Sequence, residues 1–154
     1  MNSAYNNQLQ RASLKMTNGT TELQSVAYGY DTAGRLETVT EEDYSATYAY
    51  HANSPLIDTV TFKNGQDTRL VTTRRYDRLN RLESISSAAY GSAATNLPVS
   101  YAYQYNRANQ GTRVGLADGT YWVYQYDALG QVISGVDRGH ISTLILLKNP
   151  SATF

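Results

Sequence analysis

Asp31, Asp77 and Asp127 are the carboxylates that recur in one setting: each follows a tyrosine and stands three residues before Gly34, Asn80 or Gly130. General acid–base chemistry needs two carboxylates whose surroundings push their pKa values apart within one site. Three copies of one setting give equivalent carboxylates instead, and a backbone task explains them better. The two histidines, His51 and His140, are far apart and lack metal-ligand spacing. The run Glu41-Glu42-Asp43 could attract calcium, but it lacks the alternating oxygen spacing of a loop site and reads as a solvated turn. No serine sits in a Gly-x-Ser-x-Gly elbow, and Gly115-Leu116-Ala117-Asp118-Gly119 has no phosphate-loop lysine. The expectation is a protein that is not an enzyme, with no catalytic residue, metal or cofactor.

The other chemistry on offer is aromatic. The chain has 14 tyrosines against one tryptophan and two phenylalanines, and tyrosine pairs an apolar ring with a polar tip. The densest region is Tyr101, Tyr103, Tyr105, Trp122, Tyr124 and Tyr126. Placed on one sheet face, these rings could stack on sugars. The rival reading buries them against a neighbouring layer. Repeated architecture normally explains repeated residues, so the tyrosines are read first as a structural spine, with Arg74 breaking it and lying over a neighbouring ring as a cation–π contact.

The elements that position these groups follow from a phrase recurring every 20 to 30 residues. Five copies begin at Tyr30, Tyr50, Tyr76, Tyr105 and Tyr126, followed by Asp31, His51, Asp77, Asn106 and Asp127, and then, three residues on, by Gly34, Ser54, Asn80, Asn109 and Gly130. A degenerate sixth copy with a shorter turn starts at Tyr5. Asp or Asn ties a turn through its own side chain, and Gly or Asn tolerates the left-handed conformation that closes a type I turn with a G1 bulge. The Ser54-Pro55 copy is expected to be distorted. Period-2 patterns such as Val99, Tyr101, Tyr103, Tyr105 predict half-buried strands before each turn, and shorter strands follow. Leu36 and Val39 lie three apart, which breaks the alternation and suggests a bulge. Asn18-Gly19, Asn64-Gly65 and Asp118-Gly119 predict two-residue hairpin turns on the other side, and Ser87 to Pro98 a longer loop. Almost no helix is expected. A unit of this size must stack on its neighbours, and an open ribbon leaves edge strands through which it would self-associate.

Composition narrows the partners. Thirteen basic and thirteen acidic residues cancel, which argues against nucleic acid, whose binders carry a basic surplus. No cysteine is present, so disulfides are excluded. No apolar run approaches the roughly 20 residues of a membrane helix, and the first residues do not read as a signal peptide.

The run Tyr28-Gly29-Tyr30-Asp31-Thr32-Ala33-Gly34-Arg35-Leu36, with Tyr76-Asp77-Arg78-Leu79-Asn80-Arg81-Leu82 and Tyr124-Gln125-Tyr126-Asp127-Ala128-Leu129-Gly130, resembles the YD repeat of Rhs, toxin-complex and teneurin-like proteins. The resemblance covers about residues 5 to 137. It implies an all-β fold of stacked antiparallel hairpins in a curved, open sheet, a segment of a shell. In bacterial relatives that shell encloses a toxic segment, and in teneurins it belongs to an adhesion protein. It further implies a secreted or cell-surface setting, neighbouring YD repeats as partners, and glycans or a toxin cargo as ligands. The expected organisation is a YD-repeat ribbon over 1–137 and a non-repeat tail or capping strand over 138–154. The chain departs from the family in holding about five repeats and in lacking the Asp-Pro-x-Gly-rich core segment that normally follows them. Asp31, Asp77, Asn106 and Asp127, with Gly34, Asn80, Asn109 and Gly130 and the tyrosines Tyr30, Tyr50, Tyr76, Tyr105 and Tyr126, are the expected turn residues.

Overall fold

A computed structural model describes residues 1–91, 99–139 and 144–145. Thirteen strands follow one another: β1 (Asn2–Tyr5), β2 (Arg11–Asn18), β3 (Thr21–Tyr30), β4 (Leu36–Glu41), β5 (Tyr44–Tyr50), β6 (Ile57–Asn64), β7 (Asp67–Tyr76), β8 (Leu82–Ala89), β9 (Val99–Tyr105), β10 (Gly111–Leu116), β11 (Tyr121–Tyr126), β12 (Val132–Arg138) and β13 (Leu144–Ile145). Their hydrogen-bonded order is the chain order, in an open antiparallel sheet. No α-helix occurs among the described residues. Contacts divide the chain into two compact units, Met1–Arg74 with Ser87–Asn96, and Arg75–Ser86 with Leu97–Phe154.

In the first unit, residues directly opposite each other share a face. Tyr28, Val39, Ala46, Phe62 and Leu70 form one cross-strand row, and Tyr48, Val60 and Thr72 another. The intervening residues point the other way, giving the row Thr38, Thr47, Thr61, Val71. One face is therefore aromatic and aliphatic, the other mostly threonine. Among the described residues Val60, at 6% exposure, is the one buried hydrophobic side chain. A domain normally buries such a face against a second layer; within this unit the described strands supply one layer. In the second unit Tyr103, Val114, Trp122 and Asp137 align across four strands, with Tyr101 opposite Leu116 and Tyr124 opposite Gly135.

The break in alternation after the turns has a fixed place. Tyr30 faces Leu36 while Gly29 faces Thr38, so Glu37 is the extra residue of a bulge. By the same registers Ala12, Asp58, Thr112 and Ile133 are extra residues. Each bulge sits two residues past its turn, so it is a feature of the repeat and not of one sequence.

Several turn expectations change. The Tyr5 copy has no shortened turn: the Asn6 N–H bonds to the Gln10 carbonyl at 2.8 Å, the Leu9 N–H to the Asn6 carbonyl at 3.0 Å, and Leu9 takes a φ of 61°. The sequence hid this because leucine fills the place of glycine. In the distorted copy the left-handed residue is Asn53 (φ 56°) rather than Ser54, and the His51 N–H reaches one residue further, to Leu56. On the opposite side the loops 19–20 and 65–66 place Gly19 and Gly65 first, with positive φ, as a type II′ turn requires. The Asp118-Gly119 connection is a three-residue loop, closed by Gly119 N–H to the Leu116 carbonyl. Glu42–Asp43 forms the loop between β4 and β5, as read from the acidic run. Ser87 to Ala89 continue β8 instead of opening a loop, and the remainder of that stretch, 92–98, lies outside the described residues, as do His140 and most of 138–154.

Candidate functional site

The repeated residues build a turn, and each turn builds a junction to the next hairpin. In the best copy the Gly34 N–H donates to the Asp31 carbonyl (2.9 Å) and the Asp31 N–H to the Arg35 carbonyl (2.9 Å). The Asp31 carboxylate then accepts the N–H groups of Ala33 (2.9 Å) and Arg35 (2.8 Å) on Oδ1 and the Arg35 Nε on Oδ2 (2.7 Å). Asp77 repeats the pattern with Leu79, Arg81 and the Arg81 Nε at 2.6 Å. Asn106 accepts from Ala108 and Gln110, and Asp127 from Leu129 and Gln131. Gly34, Asn80, Asn109 and Gly130 all have φ between 60° and 82°, so the expected type I turn with its G1 bulge is present in these four copies.

At four of the turns the residue four past the Asp or Asn pairs with it by kind, whereas Asp127 has Gln131 in that place. Arg35 and Arg81 pair with aspartates, whereas Gln10 and Gln110 pair with asparagines, whose Nδ2 donates to the glutamine Oε1 at 2.9 and 2.6 Å. This residue also crosses to the next hairpin. The Arg35 guanidinium lies 4.3 Å from the Tyr50 ring centroid and donates to the Ser54 carbonyl. Arg81 lies 4.5 Å from the Tyr105 centroid and reaches the Asn106 carbonyl and the Asn109 Oδ1 at 3.4 and 3.3 Å. Gln10 donates to the Gly34 carbonyl at 2.8 Å.

The tyrosine closes the junction from the other side. Tyr30, Tyr50, Tyr105 and Tyr126 donate their hydroxyls to the carbonyls of Arg11, Leu36, Leu82 and Gly111 at 2.6 to 2.9 Å. Each acceptor is the fifth residue after the Asp or Asn of the preceding turn. Tyr76 holds the equivalent place at the end of β7.

Electrostatics follow from this geometry. The Arg35 N–H on the Asp31 carboxylate, seconded by its guanidinium and the Ala33 N–H, holds that carboxyl below its ordinary range against a smaller opposing effect of burial. For Asp77 the Arg81 side chain is the largest cause of the same lowering. Burial pushes the Tyr50 and Tyr105 phenols up, and the arginines above them partly offset this. Through these hydrogen bonds and ring contacts the groups fix the geometry of turn and junction. Among the described residues no group of three acidic, His or Cys side chains is arranged to hold a metal.

No protein-family model matches the chain, and no curated protein sequence does. Among solved structures it is similar to a chain of the TcdB2-TccC3-TEV crystal structure, at a TM-score of 0.73 and 16% identity, over 88% of this chain and 8% of that one. A chain of TcdB2-TccC3-Cdc42 aligns at 16% identity and a TM-score of 0.40. The fold is that of a TcdB2-TccC3 segment. The repeat fold read from the YD resemblance is borne out at that level, and this chain spans a small part of the length of its TcdB2-TccC3 neighbour.

The six aromatic residues expected to bind ligand divide into two groups on this frame. Tyr105 and Tyr126 are committed through their hydroxyls to the preceding hairpin. Tyr101, Tyr103, Trp122 and Tyr124 share a face with Val114 and Leu116. Trp122 and Tyr124 stack with centroids 6.5 Å apart and planes 17° from parallel, and Gly135 leaves the space beneath, where an added Cβ would lie 3.4 Å from the Tyr124 ring. Tyr101 is 39% exposed and Trp122 half-buried. Arg74 is not among the cations over tyrosines in the described residues; those are Arg35, Arg81 and Arg113, the last 3.8 Å from the Tyr121 centroid. The junction role of Arg35, Arg81 and Gln10 escaped the sequence reading. The signal was present in the matched Asp/Arg and Asn/Gln pairs.

No helix among the described residues is long and apolar enough to cross a membrane.

Proposed function

We propose that this chain is a structural wall segment: a run of YD-type hairpins belonging to a larger Rhs-like shell that encloses a cargo. The observation that carries this reading is the single layer. The described strands present an aromatic and aliphatic face with Phe62 at 39% and Tyr44 at 58% exposure and one buried hydrophobic side chain. A sheet with so little buried surface lacks the main favourable contribution to folding, and a shell wall supplies the missing neighbours. The shared fold with a small part of a much longer TcdB2-TccC3 chain supports the same reading. Immunoblotting of source cells tests it. A band far above 17.1 kDa is expected, and a mature product near that mass would remove the shell reading.

A second reading, a glycan-binding face, is favoured by the stacked, half-exposed Trp122 and Tyr124 beside Tyr101 and Tyr103. Trp122 emission that is quenchable and responds to glycans supports it. A blue-shifted, unresponsive Trp122 removes it.

A further inference from the structure

On the aromatic and aliphatic face of the first unit, Ala46 stands between Val39 and Phe62 in the cross-strand row. Its small side chain leaves a groove of about 320 Å³, walled by Val26, Val39, Tyr44 and Phe62. Tyr44 lies two residues before Ala46 on β5 and so shares its face. A groove at the small end of roughly 300 to 1,000 Å³ suits one chain or ring of a small molecule, not a segment of protein. Charge adds a second condition. Lys63 and Arg69 also line the groove, with Glu41 as its one acid. The Glu41 carboxylate already accepts the Gln24 Nε2 at 2.6 Å. Among the described residues Lys63 has no ion pair, and Arg69 has Asp67 at 3.6 Å, itself 76% exposed. Phe62 faces Leu70 while Lys63 faces Thr68, so Arg69 is the extra residue of a bulge, a device that re-aims a side chain.

We propose that this groove binds a free amphipathic carboxylate. Its acyl chain or aryl ring lies on Ala46 between Tyr44 and Phe62, and its acid group meets Arg69. A guanidinium offers a carboxylate two parallel N–H donors, and an exposed pair such as Arg69 with Asp67 holds its partner weakly. A neutral ligand would leave both cations without a counter-charge, and a cationic one would be repelled by them. The site is complete within β3 to β7 of the first unit, and it does not rest on the shell reading.

The test titrates decanoate, below its micelle concentration, into the full chain and follows methyl and aromatic NMR shifts. Saturable shifts at Ala46 and Phe62 are expected. Decanol should bind about tenfold more weakly than decanoate, the worth of a hydrogen bond to a charged group. Arg69→Gln should remove that preference while leaving decanol binding unchanged. Ala46→Leu fills the groove and should abolish the shifts. Arg69 is exposed, so its variant keeps the test decisive if Ala46→Leu does not fold. Equal binding of decanoate and decanol, a preference that survives Arg69→Gln, or no saturable shift at millimolar decanoate would overturn the proposal. Shifts as large at Trp122 as at Phe62 would mean adsorption on any apolar surface and would overturn it too. So would retention on anionic phospholipid vesicles without binding of free decanoate, since the occupant would then be a membrane.

Discussion

The Asp/Arg turns at 31–35 and 77–81 and the Asn/Gln turns at 6–10 and 106–110 fold the same backbone with different side chains. In all four, one side-chain oxygen accepts two backbone N–H groups. They differ in what reaches the next hairpin. Arginine covers the next tyrosine ring and donates to the next turn, whereas Gln10 makes a single amide contact with Gly34. Turn and junction are thus separate functions of adjacent residues. The Asx oxygen makes the turn, and the residue four places on sets how firmly one hairpin holds the next.

The largest effect should come from removing a covered ring. Tyr105→Ala deletes the surface under Arg81 and the hydroxyl on Leu82, and should cost about 2 kcal/mol in urea unfolding. Tyr126→Ala, whose preceding turn carries Gln110, should cost less. Equal losses would break the distinction between the two kinds of junction.

Exchanging one kind for the other sharpens it. Asp77→Asn leaves Arg81 without its anion, and Arg81→Gln leaves Asp77 without its cation. The double variant recreates the pair found at 106 and 110. Its melting temperature should lie above that of either single variant. Simple additivity would show that the two positions do not act as a pair.

Acid separates the turns as well. Asp31 and Asp77 have carboxyls lowered in the folded state. Their contribution is fully present above the unfolded value of about 4, and it is lost as the pH falls through the lower folded values. Melting temperature should therefore fall below about pH 4, and Asp31→Asn with Asp77→Asn should flatten that fall. An unchanged pH profile in the double variant would place the acid sensitivity elsewhere.

The smallest effect is the loss of one oxygen. Tyr50→Phe removes the 2.6 Å bond to the Leu36 carbonyl and should cost about 1 kcal/mol. Tyr101→Phe, on the exposed aromatic row, should stay within about 0.5 kcal/mol. A reversed order would mean that the row, not the junction, holds the sheet.

What the sequence made legible was whatever the backbone demands of a residue type. Asp31, Asp77, Gly34 and Gly130 announced their turns because few residues can tie a turn or adopt positive φ. Leu9 did not, since leucine is a poor left-handed residue and its turn is held by Asn6 alone. The Glu37 bulge was sensed from the spacing of Leu36 and Val39, but placing it required the register against Gly29 and Tyr30. The hydroxyl partners of Tyr50 and Tyr105 were invisible, because a carbonyl acceptor leaves no mark on residue type. Arg35 and Arg81 stood in the motif without a role, since their reach is to another repeat.

The repeated tyrosines tie one hairpin to the next. Amide exchange of the Tyr105→Phe chain tests it most directly. Faster exchange is expected on both sides of the lost bond, around Leu82 as well as in β9. Faster exchange confined to β9 and its own turn at Asn106, with Leu82 and its neighbours unchanged, would contradict it.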